Sequence, residues 1–490
     1  MHETIVYDYQ FHENEKPRDN CAVVGVYSRS QRVSEITLQG LIELNHRGQE
    51  GSGITLANWD RIQVVKDSGL AEVVFKIKHG LPDIPNAFVA IGHNRYSTSG
   101  SLNEMQPFLD NGIAIAHNGN LTNVLQLREE FGIPDEIDGA RSDTRIALAV
   151  INRMEGTEEE RILKALPRFE GAYSFVFATR SALFASRDPR GFRPLVIGKL
   201  KDDGYVVASE TAALRSMGAS LLRDVEAGET IQIDDGGLKT IAFDSREGKL
   251  SQCIFELIYI SRPDSVVFGI PVMEFRKRVG EMLAKHFPEK VDIIAPVPNS
   301  GRGAWAGVIS SKIARNLGAM FEEVFYPNPY KNIVRGGRTF ILPNGRDKAA
   351  TEKYSVIESN VKGKTIVLVD DSILRGSMRR IVQILKAHGA KAVHALIASP
   401  PIRFACHFGV DFSDGELLAN KIPDVEEIRK YLGLDSLYYI SYAELLEAVL
   451  GNPVENIPEV FEQNDFCGAC FTGRYPIETD GTIKKVLAVE

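Results

Sequence analysis

The sequence predicts two domains of different class: an α+β domain with packed antiparallel sheets, followed by an α/β domain with a parallel sheet. Residues 21–245 contain short apolar runs separated by glycine-rich turns and few long helical patterns, which is typical of antiparallel sheets. Beyond them strands and helices alternate, which indicates a parallel sheet. A chain of 490 residues is also too long for one ordinary core, and we place the boundary near residues 245–260.

The first half begins with an apolar run at 21–27 that predicts a strand, and further strands are predicted at 87–92, 174–178 and 204–208. A helix is predicted at 34–44, because apolar side chains recur there at helical spacing. The four residues Asp-Asp-Gly-Gly at 234–237 predict a tight hairpin turn.

The second half predicts helices and strands in alternation. The helices are expected at 273–287, 305–317 and 378–388, and the strands at 292–296, 366–369 and 392–398. Gly389 is expected to end the third helix. Beyond residue 420 the chain is predicted to be helical, with a capping box at Ser441 and Glu444.

Composition excludes several classes of protein. The net charge of −8 argues against a nucleic-acid partner, and no apolar run approaches the roughly 18 residues that span a bilayer. The first residues lack the pattern of a signal peptide, so we expect a cytoplasmic location. Five cysteines in such a chain argue against a disulfide framework. The basic runs at 276–278 and 379–380 are interpreted as solvated helix faces.

The most informative segment is 365–377, where a β-branched apolar run ends in Asp370 and Asp371 and a loop of small residues follows. A buried parallel strand delivers its last residues to the carboxyl edge of the sheet, where α/β folds bind ligands. The loop offers backbone N–H groups to a phosphate, and the two acids suit ribose hydroxyls or Mg²⁺. The pattern predicts a sugar-phosphate site, although a phosphotransfer receiver, a phosphatase or a simple helix cap fits it as well.

Four strings in the first half resemble class II glutamine amidotransferases in type and order: residues 45–51, 92–98, 116–121 and 142–144. The resemblance implies an N-terminal nucleophile (αββα) glutaminase domain over residues 21–250. Its nucleophile would be Cys21, with the free α-amine of the same residue as the base, because an α-amine titrates near neutrality. This mechanism requires cleavage between Asn20 and Cys21, so residues 1–20 are expected to be a propeptide. Without the other strings, a buried cysteine on a core strand would be the preferred interpretation of Cys21.

The same resemblance assigns roles to the other residues of the four strings. Asn118 and the backbone amide of Gly119 would form the oxyanion hole, Arg95 would bind the glutamine α-carboxylate, and Asp143 the α-ammonium group. His93 and His117 are expected to be structural hydrogen-bonding residues. Arg145 stands where the family usually has an acid, next to the site.

In the second half, residues 259–265, 337–341 and the segment 365–377 resemble the glutamine phosphoribosyl pyrophosphate (PRPP) amidotransferase family. The resemblance implies an α/β type I phosphoribosyltransferase domain over residues 251–450. Asp370 and Asp371 would bind ribose and Mg²⁺, with Ser300 as a further metal ligand. The 5-phosphate would lie in a loop formed by Ser372, Arg375, Gly376 and Ser377, and the pyrophosphate would be covered by Arg338, Arg346 and Lys353.

The acceptor strings depart from the family pattern at three places. Asn299 replaces an aspartate before Ser300, and the unusual Gly301-Arg302-Gly303 follows, so that Arg302 adds a positive charge. Met378 stands where a threonine is common. These positions are expected to shift PRPP affinity or acceptor choice rather than to remove the machinery.

The remaining four cysteines are Cys253, Cys406, Cys467 and Cys470, with the last pair in a Cys-x-x-Cys arrangement within a C-terminal segment at 451–490. Four thiolates suit tetrahedral zinc or a [4Fe–4S] cluster, and spacing alone does not choose between them or exclude unbound thiols. All four lie in strings that resemble the iron–sulfur members of the family, which implies a structural [4Fe–4S] cluster and leaves Cys21 free.

Together the resemblances imply the amidophosphoribosyltransferase reaction, in which glutamine, PRPP and water give 5-phosphoribosylamine, glutamate and pyrophosphate, the entry step of purine synthesis. They also imply a homotetramer and feedback by purine nucleotides. One alternative is a glutaminase serving another acceptor. Glucosamine-phosphate synthesis would need two sugar-isomerase domains and asparagine synthesis an ATP-binding loop, and neither fits the motif at 370–377. The other is a PRPP-sensing regulator, which would not need Cys21, Arg95, Asn118 and Asp143.

Overall fold

A computed structural model describes residues 21–95, 102–137, 142–201, 204–244, 246, 249–288, 290–298, 300–311, 314, 316, 318–327, 354–410, 415, 417–451 and 465–477. The described part of the first half contains thirteen strands, numbered in chain order: β1 Ala22–Tyr27, β2 Gly51–Ala57, β3 Ile62–Ser68, β4 Val89–Arg95, β5 Phe108–Asp110, β6 Ile113–Leu121, β7 Gly171–Ala178, β8 Leu183–Arg187, β9 Val196–Leu200, β10 Tyr205–Ala208, β11 Ala219–Asp224, β12 Glu229–Asp234 and β13 Gly237–Phe243. Its helices are α1 Val33–Glu43, α2 Val124–Phe131, α3 Asp143–Ile151, α4 Glu158–Ala165 and α5 Thr211–Ser216.

These strands form two antiparallel sheets that pack face to face. The first has the order β11-β9-β10-β1-β4-β2-β3 and the second β13-β12-β8-β7-β6-β5. Helices α1 and α5 cover the outer face of the first sheet, and α2, α3 and α4 cover that of the second. The predicted αββα arrangement is therefore confirmed.

The continuous apolar run of β1 follows from this arrangement, because both faces of the strand are covered. Val24 and Val26 pack against α1, whereas Val23 and Tyr27 face the second sheet. Gly25 has room only for hydrogen, since a Cβ there would lie 2.9 Å from side-chain atoms of Val176 and Leu183. The close packing of the two sheets thus depends on small residues at the central strand.

The second half is built on a parallel sheet. Its strands are β14 Gln252–Cys253, β15 Val266–Val267, β16 Ile270–Pro271, β17 Ile293–Pro296, β18 Met320–Phe321, β19 Phe325–Pro327, β20 Tyr354–Val356, β21 Thr365–Asp370, β22 Ala392–Ile397, β23 Ser436–Tyr439 and β24 Phe466–Cys467. The described helices are α6 Val272–Leu283, α7 Arg302–Ser310, α8 Met378–Ala387, α9 Leu418–Lys421, α10 Val425–Leu432, α11 Tyr442–Leu450 and α12 Ala469–Thr472. The main sheet has the order β18-β17-β21-β22-β23 with all strands parallel.

Helices cover both faces of this sheet, so β21 is buried along its whole length. Val367 and Val369 face α6, α7 and α11, and Ile366 and Leu368 face α8 and α10. Parallel strands end at one edge, and β21 delivers Asp370 to it. The predicted α/β class is confirmed.

Most predicted elements are present, with shifted ends. The helix predicted at 273–287 gives way to a 3₁₀ turn at Ala284–His286, and α7 begins at Arg302 and ends at Ser310, with Ser311 extended. The capping box of Ser441 and Glu444 is confirmed. The helical prediction beyond residue 420 is wrong for β23, because Ser436–Tyr439 pairs with β22 at the sheet edge. None of the described helices is long and apolar enough to cross a bilayer.

The interpretation of residues 276–278 as a solvated face is also wrong in part. The guanidinium of Arg276 donates to the carbonyl oxygens of Leu257, at 2.9 Å, and Ser261, at 2.8 Å. Burial lowers the pKa of Arg276 to about 10, while the charge of Asp371 acts in the opposite direction. The side chain therefore points inward, to the carboxyl edge of the parallel sheet.

Candidate active sites

The first candidate site lies where three strands of the two stacked sheets end or begin. Cys21 precedes β1, and Ala22 pairs with Asn94 of β4, so the start of β1 lies beside the end of β4 at Arg95. Strand β6 of the facing sheet carries Asn118 and Gly119, and β1 and β4 both pack against it. The fold therefore brings Cys21, Arg95, Asn118 and Gly119, which are far apart in sequence, to one end of the sheet sandwich.

Asn118 and Gly119 have features of an anion-binding pair. Asn118 is 1% exposed, and its Nδ2 has no hydrogen-bond partner among the described residues. Gly119 has φ +148, and a Cβ there would lie 2.0 Å from the carbonyl oxygen of Ala172. A buried amide donor without a partner is costly, so its retention beside a position restricted to glycine is typical of a site that binds an oxyanion.

Asp143 opens α3 and is held by several donors. Its Oδ2 accepts the amide of Leu121 at 3.0 Å and lies 3.4 Å from Nδ1 of His117, and its Oδ1 accepts the amide of Thr144 at 2.6 Å. Burial alone would raise the pKa of this carboxyl, but His117 and these hydrogen bonds lower it below its usual value. A fixed carboxylate at this point suits an ammonium group of a ligand.

His93 and His117 join the two sheets. The Nε2 of His93 lies 3.2 Å from the carbonyl oxygen of His117, and burial lowers the pKa of His93 to about 3, so the neutral ring donates this bond. The Nε2 of His117 in turn lies 3.2 Å from the carbonyl oxygen of Ala172. The His93 ring therefore binds the residue before Asn118, and the His117 ring binds the neighbouring strand β7.

Sequence reasoning missed a buried ion network next to Cys21. Arg47 donates through Nε to the Cys21 carbonyl oxygen at 3.3 Å and binds Glu210 at 2.6 Å and Glu256 at 2.6 and 3.0 Å. Arg193 also binds Glu256, at 3.0 Å. All four charged residues are at most 1% exposed. The signal was present in the sequence, because Glu256 interrupts an apolar run at 254–258 and such a charge needs a buried partner.

The second candidate site lies at the carboxyl edge of the parallel sheet. Asp370 and Asp371 are 8% and 4% exposed, and Ser300 donates from Oγ to Oδ1 of Asp370 at 2.6 Å. The Oδ2 of Asp371 is buried without a partner among the described residues. The structure thus brings these three residues together, and a buried free carboxylate oxygen fits a hard cation such as Mg²⁺.

The loop after Asp371 turns sharply into α8. Ser372 donates its amide to Oδ1 of Asp371 at 2.7 Å, Gly376 has φ +104, and Arg375 is 5% exposed. Ser377 precedes the first helical residue and makes no side-chain cap to the helix. The loop keeps its small residues and its hydroxyl beside a helix N-terminus, which is the arrangement that the sequence predicted for a phosphate.

The structure explains two of the departures from the family pattern. Met378 is 2% exposed and packs in the core beneath the sheet, so its side chain does not line the loop. Arg302 points to Glu323 at 2.5 Å, which offsets its charge. Gly301 packs so closely that a Cβ would lie 1.9 Å from the carbonyl oxygen of Val369. Arg338, Arg346, Lys353 and Asn299 lie outside the described residues.

The four remaining cysteines lie close together. Neither they nor Cys21 form a disulfide bond. Cys253 and Cys467 are direct partners in the parallel pair β14–β24. Burial raises the pKa of Cys253 to about 11 and raises that of Cys470 well above its usual value, and in each case neighbouring thiols raise it further. Within the described ranges, however, no three His, Cys, Asp or Glu side chains stand in metal-ligand geometry.

One neighbour of these cysteines indicates what they could hold. The Nη2 of Arg193 is buried without a described partner, and the charge of Arg193 acts on Cys253 and Cys406. Four thiolates around a metal centre carry negative charge, so such a centre fits this unpartnered guanidinium atom better than four neutral thiols would.

Comparison with known proteins indicates the family of the chain. A glutamine amidotransferase domain model matches residues 93–216. Amidophosphoribosyltransferase 2, chloroplastic, of Arabidopsis thaliana is 40% identical over 96% of this chain and 82% of its own, and the Synechococcus elongatus amidophosphoribosyltransferase is 36% identical over 96% and 94%. The structure of glutamine PRPP amidotransferase from B. subtilis, complexed with ADP and GMP, superposes with a TM-score of 0.81 at 37% identity, covering 94% of this chain and 98% of that one. Similarity of this extent shows that the chain belongs to the amidophosphoribosyltransferase family, whose glutamine-dependent transfer to PRPP it performs.

Proposed function

We propose that Cys21 is the residue at which glutamine is hydrolysed and that the carboxyl edge of the parallel sheet is where the released ammonia reacts with C1 of PRPP. The observation that supports this most is the buried Nδ2 of Asn118, which has no described partner and lies beside Gly119. Donors at this place would bind the developing oxyanion more strongly than the carbonyl oxygen of the bound substrate, and this differential binding is what lowers a barrier.

In the proposed glutaminase reaction the thiol of Cys21 gives its proton to its own α-amine and attacks the amide carbon. The C–N bond then breaks, ammonia leaves with that proton, and water hydrolyses the thioester to glutamate and the free thiol. Arg95 would bind the α-carboxylate of glutamine and Asp143 the α-ammonium, because a fixed cation and a fixed anion around the two charged groups of the α-carbon orient the substrate. The amine is available only if residues 1–20 are removed, so cleavage between Asn20 and Cys21 is part of the proposal. Domain limits of 21–250, 251–450 and 451–490 follow the same assignment.

In the proposed acceptor reaction Asp370, Asp371 and Ser300 would hold Mg²⁺ and the ribose, and Ser372, Arg375, Gly376 and Ser377 the 5-phosphate. When bound, the metal would neutralise charge on the leaving pyrophosphate. Arg338, Arg346 and Lys353 are proposed to cover the pyrophosphate. The ammonia is proposed to pass internally, since free ammonia would be protonated in water.

Contacts between the two halves support such a path. Asn120 donates to the carbonyl oxygen of His407 at 2.9 Å, and a Cβ at Gly409 would lie 3.0 Å from the Gly119 backbone. The loop at 405–409 of the second half therefore packs directly against the end of β6 in the first half.

The four cysteines Cys253, Cys406, Cys467 and Cys470 are proposed to bind a structural [4Fe–4S] cluster, which would tie the start, the middle and the end of the second half together. A homotetramer, feedback by purine nucleotides and a cytoplasmic location complete the proposal. The location is open to test by cell fractionation, because the plant relatives are named as chloroplastic proteins.

The experiment compares phosphoribosylamine formation from glutamine and from ammonia in the same preparation, together with the mass of the amino terminus. We expect the mature chain to begin at Cys21, and Cys21→Ser to abolish glutamine-dependent synthesis while ammonia-dependent synthesis continues. A chain that keeps residues 1–20 and still hydrolyses glutamine would overturn the role of Cys21. Loss of both activities in Cys21→Ser would show that the variant disturbs more than the glutaminase site.

A further inference from the structure

We infer that Gln106 is a positioning residue of the glutaminase site, which holds the oxyanion strand and the Asp143 helix at a fixed separation. The inference rests on the proposed roles of Asn118, Gly119 and Asp143. No motif of the sequence pointed to Gln106, which lies between β4 and β5 and is 8% exposed.

The side chain of Gln106 uses both ends of its amide. Its Oε1 accepts the backbone amide of His117 at 2.7 Å, and its Nε2 donates to Oγ1 of Thr144 at 3.0 Å. The backbone N–H of His117 can only donate, so the orientation of the Gln106 amide is fixed by its partners. One bond therefore holds β6 immediately before Asn118, and the other holds α3 at its second residue.

Thr144 links Gln106 to Asp143. Its Oγ1 lies 3.1 Å from Oδ1 of Asp143 and 3.1 Å from Nδ1 of His117, and its backbone amide donates to the same Oδ1 at 2.6 Å. Thr144 itself is 0% exposed. The rotamer of Asp143 is thus determined by a buried residue whose hydroxyl accepts from Gln106.

The backbone around Gln106 is held by the first sheet. Lys66 of β3 donates to the carbonyl oxygens of its two neighbours, Met105 at 2.6 Å and Pro107 at 3.1 Å. Gly53 of β2 packs against its backbone, where a Cβ would lie 2.2 Å from the Gln106 carbonyl oxygen. Since the backbone is fixed on the first sheet, the side chain can transmit this position to the second sheet.

The two bonds predict two separable effects. The acceptor bond sets the position of Asn118 and Gly119, which act on the oxyanion, so its loss should lower kcat for glutamine hydrolysis. The donor bond sets the position of the Asp143 side chain, which is proposed to bind the α-ammonium in the ground state and the transition state alike. Loss of this bond should therefore raise KM for glutamine. A displacement of about 1 Å is sufficient for a change of about 100-fold.

Gln106→Glu and Gln106→Met separate the bonds. The glutamate variant keeps an acceptor for His117 but loses the donor to Thr144, and we expect a KM for glutamine raised about tenfold with kcat within about threefold of the wild type. The methionine variant loses both bonds, and we expect kcat to fall about 10- to 100-fold as well. Thr144→Val should raise KM in the same way, and Thr144→Ser, which keeps the hydroxyl, should have the KM of the wild type. Gln63→Met, at an exposed position of β3, is the matched control.

Ammonia-dependent synthesis in each variant distinguishes positioning from a general loss of folding. We expect it to stay within about twofold of the wild type, because it does not use the glutaminase site. Equal losses of both activities, or a Gln106→Met enzyme with normal glutamine kinetics, would overturn the inference. Asn118→Gly and Asp143→Asn are measured alongside: normal glutamine kinetics in these two would instead refute the proposed function on which the inference rests.

Discussion

Arg47 and Glu256 form a buried bidentate ion pair, with contacts of 2.6 and 3.0 Å, between residues that are 209 positions apart in the chain. Arg47 also binds the carbonyl oxygen of Cys21, and Glu256 also binds Arg193 and Ser261. Glu256 comes from the second half of the chain. A residue of the acceptor half therefore helps to fix the backbone of the proposed nucleophile of the glutaminase half.

Glu256→Gln should destabilise the protein strongly, because it leaves Arg47 and Arg193 buried with one carboxylate fewer. We expect a loss of about 3 kcal/mol in the free energy of unfolding, which corresponds to a clear drop in Tm. Glu274→Gln, whose side chain pairs with Lys277 at the surface, should change Tm very little. Equal Tm values for the two variants would contradict the structural role of the pair.

The stability of the protein should depend on Glu210 at acid pH. Burial alone would raise the pKa of this carboxyl, but His46 and Arg47 lower it far below its usual value of 4.5. The folded state therefore binds this proton less readily than the unfolded state, and the stabilisation is complete above pH 4.5 and is lost as the pH falls below it. Tm is measured between pH 6 and pH 3. Below pH 4.5 the Tm of Glu210→Gln should fall less steeply than that of the wild type, and the Tm of Glu274→Gln should follow that of the wild type.

Gly119→Ala should abolish glutamine-dependent synthesis. The new Cβ would lie 2.0 Å from the carbonyl oxygen of Ala172, and φ +148 is strained for alanine, so the proposed oxyanion donor must move. We expect a fall of at least 100-fold in kcat, with ammonia-dependent synthesis retained. Gly132→Ala, also at positive φ but with no atom within 4 Å, should cost about 1 kcal/mol of stability and leave both activities unchanged. Full glutamine-dependent activity in Gly119→Ala would exclude the amide of Gly119 from the site.

Asp371→Asn should reduce synthesis from glutamine and from ammonia alike, because the proposed metal and ribose site serves both. The variant removes the charge of the carboxylate whose Oδ2 is buried without a described partner. We expect a fall of at least 100-fold in kcat/KM for PRPP, measured by pyrophosphate release over a range of Mg²⁺ concentrations. Asp83→Asn, at an exposed position, serves as the control. Unchanged Mg²⁺ dependence would show that Asp371 is not a metal ligand.

Cys467→Ser should lose the bound metal, whereas Cys21→Ser should keep it. Cys467 is the strand partner of Cys253, and Cys21 lies at the start of β1 in the other half. Metal analysis and the visible spectrum of anaerobically purified protein check this prediction. Stoichiometric zinc in a colourless wild-type protein would refute the iron–sulfur assignment, and equal metal loss in both variants would refute the ligand set.

Local patterns were sufficient for the elements that hold the proposed sites. The apolar run that ends in Asp370 and Asp371 predicts a buried strand with its acids at the ligand edge, and β21 is that strand. The capping box of Ser441 and Glu444 was likewise predicted correctly, because its two residues are only three positions apart in the sequence. In contrast, β23 was missed, since Ser436–Tyr439 is a strand only through its pairing with β22.

The sequence by itself determined the two-domain organisation, the family and the candidate residues, because these depend on short strings and on periodicity. The tertiary structure alone decided which side chains face one another. It showed that Met378 lies in the core and that Arg276 turns inward. It also showed that Gln106 binds His117 and Thr144 and that Glu256 binds Arg47. Buried polar partners of this kind are chosen by the packing of sheets and helices and carry no fixed spacing, which is why local pattern cannot reveal them.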